Sequence, residues 1–462
     1  MKSALFGSLR QLWAIERCER TKLFLVSTIF ALVITSYTIC KEMKDIVFVE
    51  IVGADYVPRA KLLAIFVLIP AILFYSFLVN KLRRHQILCF YAVLYGILGL
   101  LFAYLLGHPV IGIANTDTSP SRIFGWIFYI FIEGASPFLI GVVWAFINSI
   151  HSPKEAKDYY AFLVTFSRIG GLLGAGLGWY ILSSHVIAPL VIKQQLLLFV
   201  PSVVLLLVPL AVWLLRKKVA GWRLHGYEAV YEYQKDAEKN QEQPGLFSGL
   251  LLLIRNPYVF GIFSIIFFYE MVNTVLSLLR ITYSLGDGFE QFSSRLFALT
   301  FGYHAVAFFI ALFGTQALLR LLGERRCLIL VPISIGVLLF AFLGIGTFGA
   351  FTFAFIAMRA INYAFFYPVR ESLYIPTIKA IKFQSKAWID AFGTKFSKGG
   401  GSLFNMLARY VLRSGGMAAS QALHVGFFAI IIGAWIFVAH LMGKRYAKAI
   451  AKNEVIGALP EA

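Results

Sequence analysis

Charge is scarce in this sequence. Only 14% of its 462 residues are charged, whereas 59% are hydrophobic and the mean hydropathy is +0.78. A soluble globular chain carries about 25% charged residues, so the composition excludes a soluble enzyme and a disordered chain. Twelve segments are apolar enough to cross a membrane as helices, each of which needs about 20 residues. The predicted fold class is therefore an all-α polytopic membrane protein with 12 transmembrane helices.

Cysteines and catalytic motifs are scarce as well. The four cysteines form no CxxC pair and no other metal-binding spacing, which excludes a disulfide scaffold and indicates no redox role. The eight histidines are dispersed, and the sequence contains no Ser-His-Asp set, metal-ligand cluster or dinucleotide-binding fingerprint. We therefore expect a protein that is not an enzyme and that uses no metal or cofactor.

Acidic residues are outnumbered by basic ones. The chain has 42 Lys and Arg against 23 Asp and Glu, a formal net charge of +19. This excess would suit a nucleic-acid binder, but it also follows from the positive-inside rule of membrane proteins. With both termini inside, 28 basic residues fall in cytoplasmic segments, ten lie in the outer loops or within four residues of them, and the other four lie deeper within spans. The asymmetry favours cytoplasmic N- and C-termini and no nucleic-acid partner.

The predicted spans fall into two groups of six. They are 24–40, 60–80, 87–106, 123–149, 160–184, 194–215, 256–279, 296–318, 327–347, 350–368, 387–412 and 421–442. The polar stretch 216–255 is interpreted as a cytoplasmic linker with one short amphipathic helix. It separates an N-terminal six-helix bundle, 1–215, from a C-terminal six-helix bundle, 256–462. This arrangement resembles the major facilitator architecture, in which two bundles rock about a central site.

Several ionisable residues lie within or beside these apolar spans. Each costs roughly 2.5–3.5 kcal/mol within the membrane on insertion scales, and is therefore a candidate functional residue. They are Lys41, Lys44, Glu133, Arg168, Glu270 and Arg359. The alternatives are salt bridges between helices for the carboxylates and arginines, and a cap at the end of span one for the lysines.

The positions of these charges favour a charged substrate. In a major facilitator arrangement, spans one, four, seven and ten line the central cavity, and all six residues except Arg168 lie on or directly after those spans. Lys and Arg are the usual partners of phosphate and carboxylate groups. The cavity is therefore expected to bind an anion, with Glu133 and Glu270 holding the cations when it is empty or carrying protons.

The glycine-rich segment at residues 393–402 invites a phosphate-loop interpretation. Residues 393–402 lack the GxxxxGK[ST] spacing and open an apolar span without a preceding strand. In membrane helices, small residues allow close packing of neighbouring backbones. We therefore predict packing faces at 393–402, with one lysine facing the cavity, and at 170–178.

Four segments form an ordered set along the chain. They are Trp13–Glu16 before span one, Lys41–Asp45 after it, Arg370–Pro376, which ends in Tyr-Ile-Pro, and Lys386–Ser402. Together they resemble the nucleotide transporters of plastids and obligate intracellular bacteria, the ATP:ADP antiporters unrelated to the mitochondrial carrier. The last two segments align without a gap and are the most specific. The chain is identified on this basis as a divergent member of that family.

The resemblance implies an activity and roles for particular residues. The two lysines and two glutamates that serve the family fall on Lys44, Glu133, Glu270 and Lys398. The implied protein exchanges nucleotides, typically ATP for ADP, by alternating access across a bacterial inner membrane, with a nucleotide and the lipid bilayer as partners.

A nucleotide substrate would also need a site for its base. Tyr129, Tyr269 and Tyr363 lie near the predicted cavity and are candidates to stack on it, because every base presents a π-face. A lipid-facing or interfacial position is an equally open explanation for each of the three tyrosines.

The sequence departs from the family pattern beside these charges. The Trp-x-Phe-x-Asn segment begins at Trp144, one residue earlier after Glu133 than the family pattern places it, and Asn273-Thr274 replaces a Trp-Lys pair. Changes beside a phosphate site alter substrate choice before they alter the fold. The alternative is therefore a facilitator-type transporter of another nucleotide or organic anion, with proton coupling through Glu133 or Glu270. A receptor or scaffold would have no reason to place charges on cavity helices.

Overall fold

The computed structural model describes residues 16–151, 153–184, 189–221, 224, 248–286, 288–313, 315–378 and 381–457. Nearly all of these residues are helical, and the β pairing among them is one isolated bridge between Thr377 and Ile456. Helices prevail because an apolar environment offers the backbone no hydrogen-bond partners, whereas a helix satisfies its own amides and carbonyls. The predicted all-helical class is confirmed.

The helices are numbered in chain order over the described residues. The first series is α1 Arg17–Ile51, α2 Val57–Lys81, α3 Arg84–Leu106, α4 Ile123–Ala135, α5 Val142–Ile150, α6 Pro153–Ser183, α7 Leu190–Leu206 and α8 Val208–Lys218. The second series is α9 Ser248–Arg255, α10 Pro257–Ser284, α11 Phe289–Phe313, α12 Thr315–Ile345, α13 Phe348–Ile361, α14 Tyr367–Ser372, α15 Lys386–Trp388 and α16 Thr394–Ala451.

Nine helices of the described chain are long and apolar enough to cross a membrane. One of them, α16, has 58 residues and is broken at Gly416, whose φ of 73° belongs to the left-handed region that glycine tolerates. The break falls between the last two predicted spans. A further apolar helix, α13, has 14 residues. A polytopic helical membrane protein is thus confirmed, and the count of twelve spans stays a prediction.

Wider π-helical turns interrupt several helices. One at Ser136–Gly141 joins α4 to α5, one at Asn362–Phe366 joins α13 to α14, and one at Ile389–Gly393 precedes α16. A π turn shifts the register of the residues that follow it and is frequent near functional sites. Glu133 and Tyr363 lie beside or within such turns, whereas the spans containing them were predicted as uninterrupted helices.

The chain forms two compact units. The first comprises Met1–Ile51 and Leu68–Gln243, and the second comprises Val52–Val67 and Pro244–Ala462. In the first unit α1 packs along α6 and α7 over a core that includes Phe30, Tyr91 and Phe146. In the second unit α10 and α12 pack along α16 over a core that includes Phe351 and Trp435. The division at 216–255 into two six-helix bundles stays a prediction, because most of that linker lies outside the described residues.

One predicted boundary is wrong. Span one was expected to end at residue 40, where the charged run Lys41–Asp45 begins, but α1 continues to Ile51. The helix tolerates the charged run because Lys44 and Asp45 are buried beside each other and beside a carboxylate of another helix. Lys44 is therefore inside a helix and does not cap its end.

Candidate functional site

A buried ion pair lies in the first unit. The Nζ atom of Lys44 on α1 donates a hydrogen bond to Oε2 of Glu133 on α4, 2.8 Å away, and lies 3.5 Å from Oδ1 of Asp45. Lys44 and Asp45 are each 6% exposed, so water screens these charges little. Removing one member of such a pair leaves the other charge buried and costs about 3–5 kcal/mol. An anionic ligand at Lys44 would have to replace a carboxylate.

An aromatic ring supports the same lysine. The Lys44 Nζ atom lies 4.3 Å from the centroid of the Tyr129 ring, a cation–π distance. Tyr129 is fully buried and meets the ring of Phe48 edge-on, with 4.9 Å between centroids. Lys44 and Phe48 are four residues apart on α1, as are Tyr129 and Glu133 on α4, so each helix presents two members of the cluster on one face.

Glycines hold α1 against its neighbour α6. A Cβ atom on Gly170 would lie 2.6 Å from the carbonyl oxygen of Ala31, and one on Gly174 would lie 2.7 Å from that of Thr35. The Thr35 hydroxyl donates to the carbonyl of Gly170 at 3.0 Å. The predicted packing face at 170–178 is confirmed at these two positions, and it fixes the helix that carries Lys44.

The corresponding polar face in the second unit lies on α10. Glu270, Asn273, Ser277 and Arg280 recur every three or four residues and therefore share one side of the helix. The Asn273 amide donates to Oε2 of Glu270 at 3.1 Å. Glu270 is half-buried, and within the described chain its hydrogen bond goes to this amide rather than to a buried arginine. Asn273, which departs from the family pattern, thus has a structural role.

Arg359 on α13 faces this side of α10. Its Nη2 donates to the Ser277 hydroxyl at 3.3 Å, and its guanidinium lies 5.8 Å from the Tyr303 ring centroid and 5.4 Å from that of Phe355. Arg359 is only 7% exposed, and no carboxylate of the described residues lies within 4 Å of it. The alternative for Arg359 was a role as counter-ion to a buried glutamate, but Arg359 forms no close ion pair with Glu270.

The candidate tyrosines of the second unit pack against other rings. Tyr363 is half-buried and stacks on Tyr303, with 5.7 Å between centroids and 24° between planes. Tyr269 is 1% exposed and packs against Phe366 and Trp435. The Tyr269 hydroxyl has no hydrogen-bond partner among the described residues. Tyr269 thus belongs to the protein core, and Tyr363 packs against that core.

The remaining candidates lie at other positions on the helices. Lys41 is half-buried on α1, and Arg168 is half-buried on α6 next to the packing glycines. Lys398 is half-buried on α16, and its ammonium makes no ion pair or hydrogen bond within the described part of the chain. Nearby, a Cβ atom on Gly401 would lie 2.7 Å from Cβ of Thr274, which confirms the predicted packing at 393–402.

Sequence reasoning missed several buried charged residues. Arg280 is 3% exposed and donates to the Thr300 hydroxyl at 3.4 Å, and its guanidinium lies 5.5 Å from the Phe355 ring that Arg359 also contacts. Span seven was predicted to end at residue 279, whereas α10 continues to Ser284. Glu42 and Lys22 are also buried on α1. Extending each predicted span by a few residues at both ends would have included Lys22, Glu42 and Arg280.

The Arg370–Pro376 segment, which carries much of the family resemblance, forms a separate charge cluster. Oε1 of Glu371 lies 3.8 Å from Nη2 of Arg370, and Oε2 of Glu371 accepts a hydrogen bond from Nζ of Lys386. Burial alone would lower the pKa of Lys386, but the adjacent Glu371 carboxylate more than offsets it, so the pKa is raised. The amide of Ile456 donates to the carbonyl of Pro376 at 2.7 Å. This segment ties the chain end to the region before α16.

The described residues hold no group of three or more His, Cys, Asp or Glu side chains that could bind a metal ion. What they hold is buried lysine and arginine beside carboxylates and rings, on membrane-spanning helices. Such groups can bind an anion and exchange partners, which is chemistry suited to transport.

Comparison with known proteins places the fold in a class of transporters. A family model described as the Major Facilitator Superfamily matches residues 61–381. A solved D-xylose–proton symporter superposes with a TM-score of 0.61 at 15% identity, covering 92% of this chain and 97% of that one. A solved nucleoside transporter superposes with a TM-score of 0.53 at 14% identity, covering 91% and 98%. The chain belongs to the Major Facilitator Superfamily.

The sequence matches a narrower family as well. A model described as the TLC ATP/ADP transporter matches residues 2–118 and 347–446. ADP,ATP carrier protein 3 of Rickettsia prowazekii is 23% identical, covering 95% of this chain and 97% of that protein. ADP,ATP carrier protein 1 of Chlamydia trachomatis is 25% identical, covering 97% and 93%. The resemblance predicted from the four segments is confirmed, at low sequence identity.

Proposed function

We propose that this protein is an antiporter that exchanges nucleotides, ATP for ADP, by alternating access. The observation that carries the proposal is Arg359, a buried cation whose guanidinium contacts a hydroxyl and two rings but no carboxylate of the described chain. Burying a cation without a carboxylate in direct contact is costly, so such a group favours an anionic ligand. The similarity to ADP,ATP carrier proteins supports a nucleotide as that anion.

The lysines and arginines are the proposed phosphate-binding groups. Lys44 and Lys398 come one from each half of the chain, with Arg359 beside Glu270, and Lys41 and Arg168 are secondary candidates. A di- or triphosphate carries several negative charges and needs several cations when it leaves water. Glu133 would hold Lys44 in the empty protein and release it to the phosphate. Tyr129, Tyr269 and Tyr363 remain the candidates for the base, with Tyr129 also supporting Lys44.

Proton-coupled transport of another nucleotide or organic anion is the second candidate. Glu270 is the observation behind it, because this half-buried carboxylate on α10 accepts its hydrogen bond from the uncharged Asn273 amide and not from a cation of the described residues. Coupling would use Glu133 or Glu270 as the proton carrier, whereas strict exchange requires no proton.

Uptake of labelled ATP into vesicles that contain the purified full-length protein separates these candidates. Uptake that requires internal ADP and does not depend on a proton gradient supports exchange. Uptake that follows the proton gradient with empty vesicles supports the second candidate. The absence of uptake under both conditions, from protein that is folded and correctly inserted, would contradict a nucleotide substrate. Competition by unlabelled organic anions would then identify the class of substrate.

We also propose a bacterial inner membrane as the location, with both termini in the cytoplasm. The excess of basic residues in the predicted cytoplasmic segments and the bacterial origin of the relatives support this placement. No enzymatic activity is part of the proposal, and the named relatives are carrier proteins.

A further inference from the structure

One carboxylate of the second unit is shared by two arginines. Asp55 lies in the short 3-10 helix Ala54–Tyr56 just before α2, and Arg409 and Arg413 lie one turn apart on α16. Nη1 of Arg409 contacts Oδ1 of Asp55, and Nη2 of Arg413 contacts Oδ2. Each carboxylate oxygen therefore has a guanidinium of its own.

The start of α2 also meets α16 at a second place. Residues Val52–Val67, which include the first residues of predicted span two, belong to the second unit. A Cβ atom on Gly399 of α16 would lie 3.3 Å from Cδ1 of Ile65 and 3.7 Å from Cδ2 of Leu62 on α2. The two segments therefore touch at Gly399 and at the Asp55 ion pair.

The cluster carries more positive than negative charge. Two guanidiniums face one carboxylate, which leaves a net positive charge at the contact, whereas the Arg59 guanidinium lies 5.1 Å from the Tyr56 ring centroid and makes no ion pair with Asp55. The Asp55 side chain is 47% exposed and that of Arg413 is 71% exposed, whereas that of Arg409 is 21% exposed. A soluble anion can therefore reach the arginines, and a basic rim raises the local concentration of anions.

We propose that Arg409 and Arg413 form a docking site for the phosphate groups of the nucleotide, and that Asp55 occupies this site until a phosphate displaces it. Guanidinium groups bind phosphate in the same two-pronged geometry as carboxylate. A nucleoside di- or triphosphate carries more negative charge than one aspartate, so it competes for the same groups.

Displacement also frees the start of α2 from α16. A ligand shifts a conformational equilibrium by its differential affinity for the two states. Binding of phosphate at the arginines therefore favours the state in which the Asp55 contact is broken, so that recognition of the substrate and separation of the two helices become one event. This inference rests on the proposed function, in which residues 52–59 lie on the outer side of the membrane.

Three single substitutions test the docking site through the KM for external ATP, in vesicles loaded with ADP. Arg409→Gln should raise KM about five- to tenfold and the more exposed Arg413→Gln about two- to fivefold, with kcat nearly unchanged. Asp55→Asn should lower KM, because it removes the internal competitor. Arg59→Gln is the matched control, since it removes the same charge from the same end of α2 without touching Asp55, and its KM should equal the parent's.

The direction of these changes in KM distinguishes a docking site from a salt bridge that has only a structural role. If the salt bridge is only structural, Asp55→Asn and Arg409→Gln remove the same interaction, so both variants would shift KM in the same direction. That outcome would overturn the proposal, as would unchanged KM in both arginine variants. Arg409→Lys keeps the charge, so its KM should lie between the KM of Arg409→Gln and that of the parent. This variant provides the test if Arg409→Gln does not fold.

Binding of inorganic tripolyphosphate separates this inference from the proposed function. Calorimetry on the purified full-length protein should show weaker binding in Arg409→Gln and Arg413→Gln than in the parent. If the parent transports no nucleotide but its tripolyphosphate affinity depends on these arginines, the proposed function fails and the docking site stands. If the parent exchanges ATP for ADP and neither KM nor tripolyphosphate affinity depends on them, only the docking site is wrong.

Discussion

At the residue scale, Lys44 combines two requirements that usually oppose each other. A cation inside a membrane helix must be neutralised, or the helix would not stay in an apolar environment. A cation that binds substrate must also be available. The arrangement of Lys44 with Glu133, Asp45 and the Tyr129 ring meets the first requirement, because the lysine is neutralised by acceptors. Under the proposed function, an incoming phosphate would replace these acceptors and so meet the second.

Substitution of Lys44 tests whether this cation binds phosphate. Lys44→Gln should weaken ATP and ADP binding by about ten- to a hundredfold, since a charge-assisted hydrogen bond contributes roughly 1.5–3 kcal/mol. Lys44→Arg keeps the charge but changes the donor geometry, so it should weaken binding less. The measurement is nucleotide affinity of the purified protein by calorimetry, with Lys398→Gln measured alongside.

Lys81→Gln provides the control for this prediction. Lys81 also lies 4.3 Å from an aromatic centroid, that of Phe77, but it is exposed at the end of α2. Its loss removes the same charge and a similar ring contact without affecting a buried cluster, so nucleotide affinity should not change. If Lys44→Gln and Lys398→Gln both fold and bind as tightly as the parent, the phosphate assignment is wrong. Arg359 and Arg168 would then be the next candidates.

Some of these residues could be predicted from sequence and others could not. Glu133 and Glu270 could be identified because placing a carboxylate within an apolar segment costs free energy, whichever side of the helix it lies on. The partner of Glu133 could not be deduced, because Lys44 is 89 residues away and was placed after the span rather than inside it. Arg280 lies one residue beyond the predicted end of its span, at a boundary that hydropathy does not define closely.

At the element scale, α1 is longer than its apolar run. It has 35 residues, whereas about 20 suffice to cross the membrane. Hydropathy marks where apolar residues end, but a helix ends where its backbone loses partners or meets a breaker, and the chain meets its next glycine only at Gly53. The extension carries Lys44 and Phe48, so half of the first charge cluster lies on residues that hydropathy assigns to a loop.

The π turns illustrate a different limit. Ser136–Gly141 lies between Glu133 and Trp144, where the spacing departs from the family pattern, and its wider turn changes which side the following residues face. No residue type or period distinguishes a π turn from an α turn in one sequence. The departure could therefore be noticed in the sequence, but its structural form could not be deduced.

The packing of α1 on α6 yields a stability prediction. Gly170→Ala and Gly174→Ala should each lower the free energy of unfolding by about 1–3 kcal/mol, because the added methyl group meets backbone atoms that cannot move aside. Gly426→Ala is the control, since a Cβ atom at that exposed helical position has no neighbour within 4 Å. It should be neutral or slightly stabilising, because alanine favours the helix. Thermal unfolding in detergent compares the three variants.

The same comparison can show that the glycines are not packing residues. If Gly170→Ala and Gly174→Ala unfold at the parent's temperature while nucleotide affinity falls, the segment would act on the ligand directly. Equal losses in all three variants would instead indicate that any alanine substitution at a membrane glycine is destabilising, and the packing argument would lose its support.

At the scale of the whole molecule, the basic residues behind the net charge of +19 are concentrated in segments that the predicted topology places inside. Composition could indicate the class of the protein, because class depends on averages over many residues, and the orientation stays a prediction. The choice of substrate depends on a few contacts, which averages do not contain.

Orientation is the property of the whole chain that labelling can test directly. In a variant whose four natural cysteines are replaced by serine, Gln241→Cys lies in the predicted cytoplasmic linker, outside the described residues. A membrane-impermeant maleimide should react with it only after the cells are permeabilised, because the basic residues flanking the linker keep it inside. Thr116→Cys, exposed between α3 and α4, is the opposite control and should react in intact cells. Reaction of Gln241→Cys from outside would mean that either the number of spans before the linker or the orientation of the N-terminus is wrong, and the assignment of residues 52–59 to the outer side would lose its support.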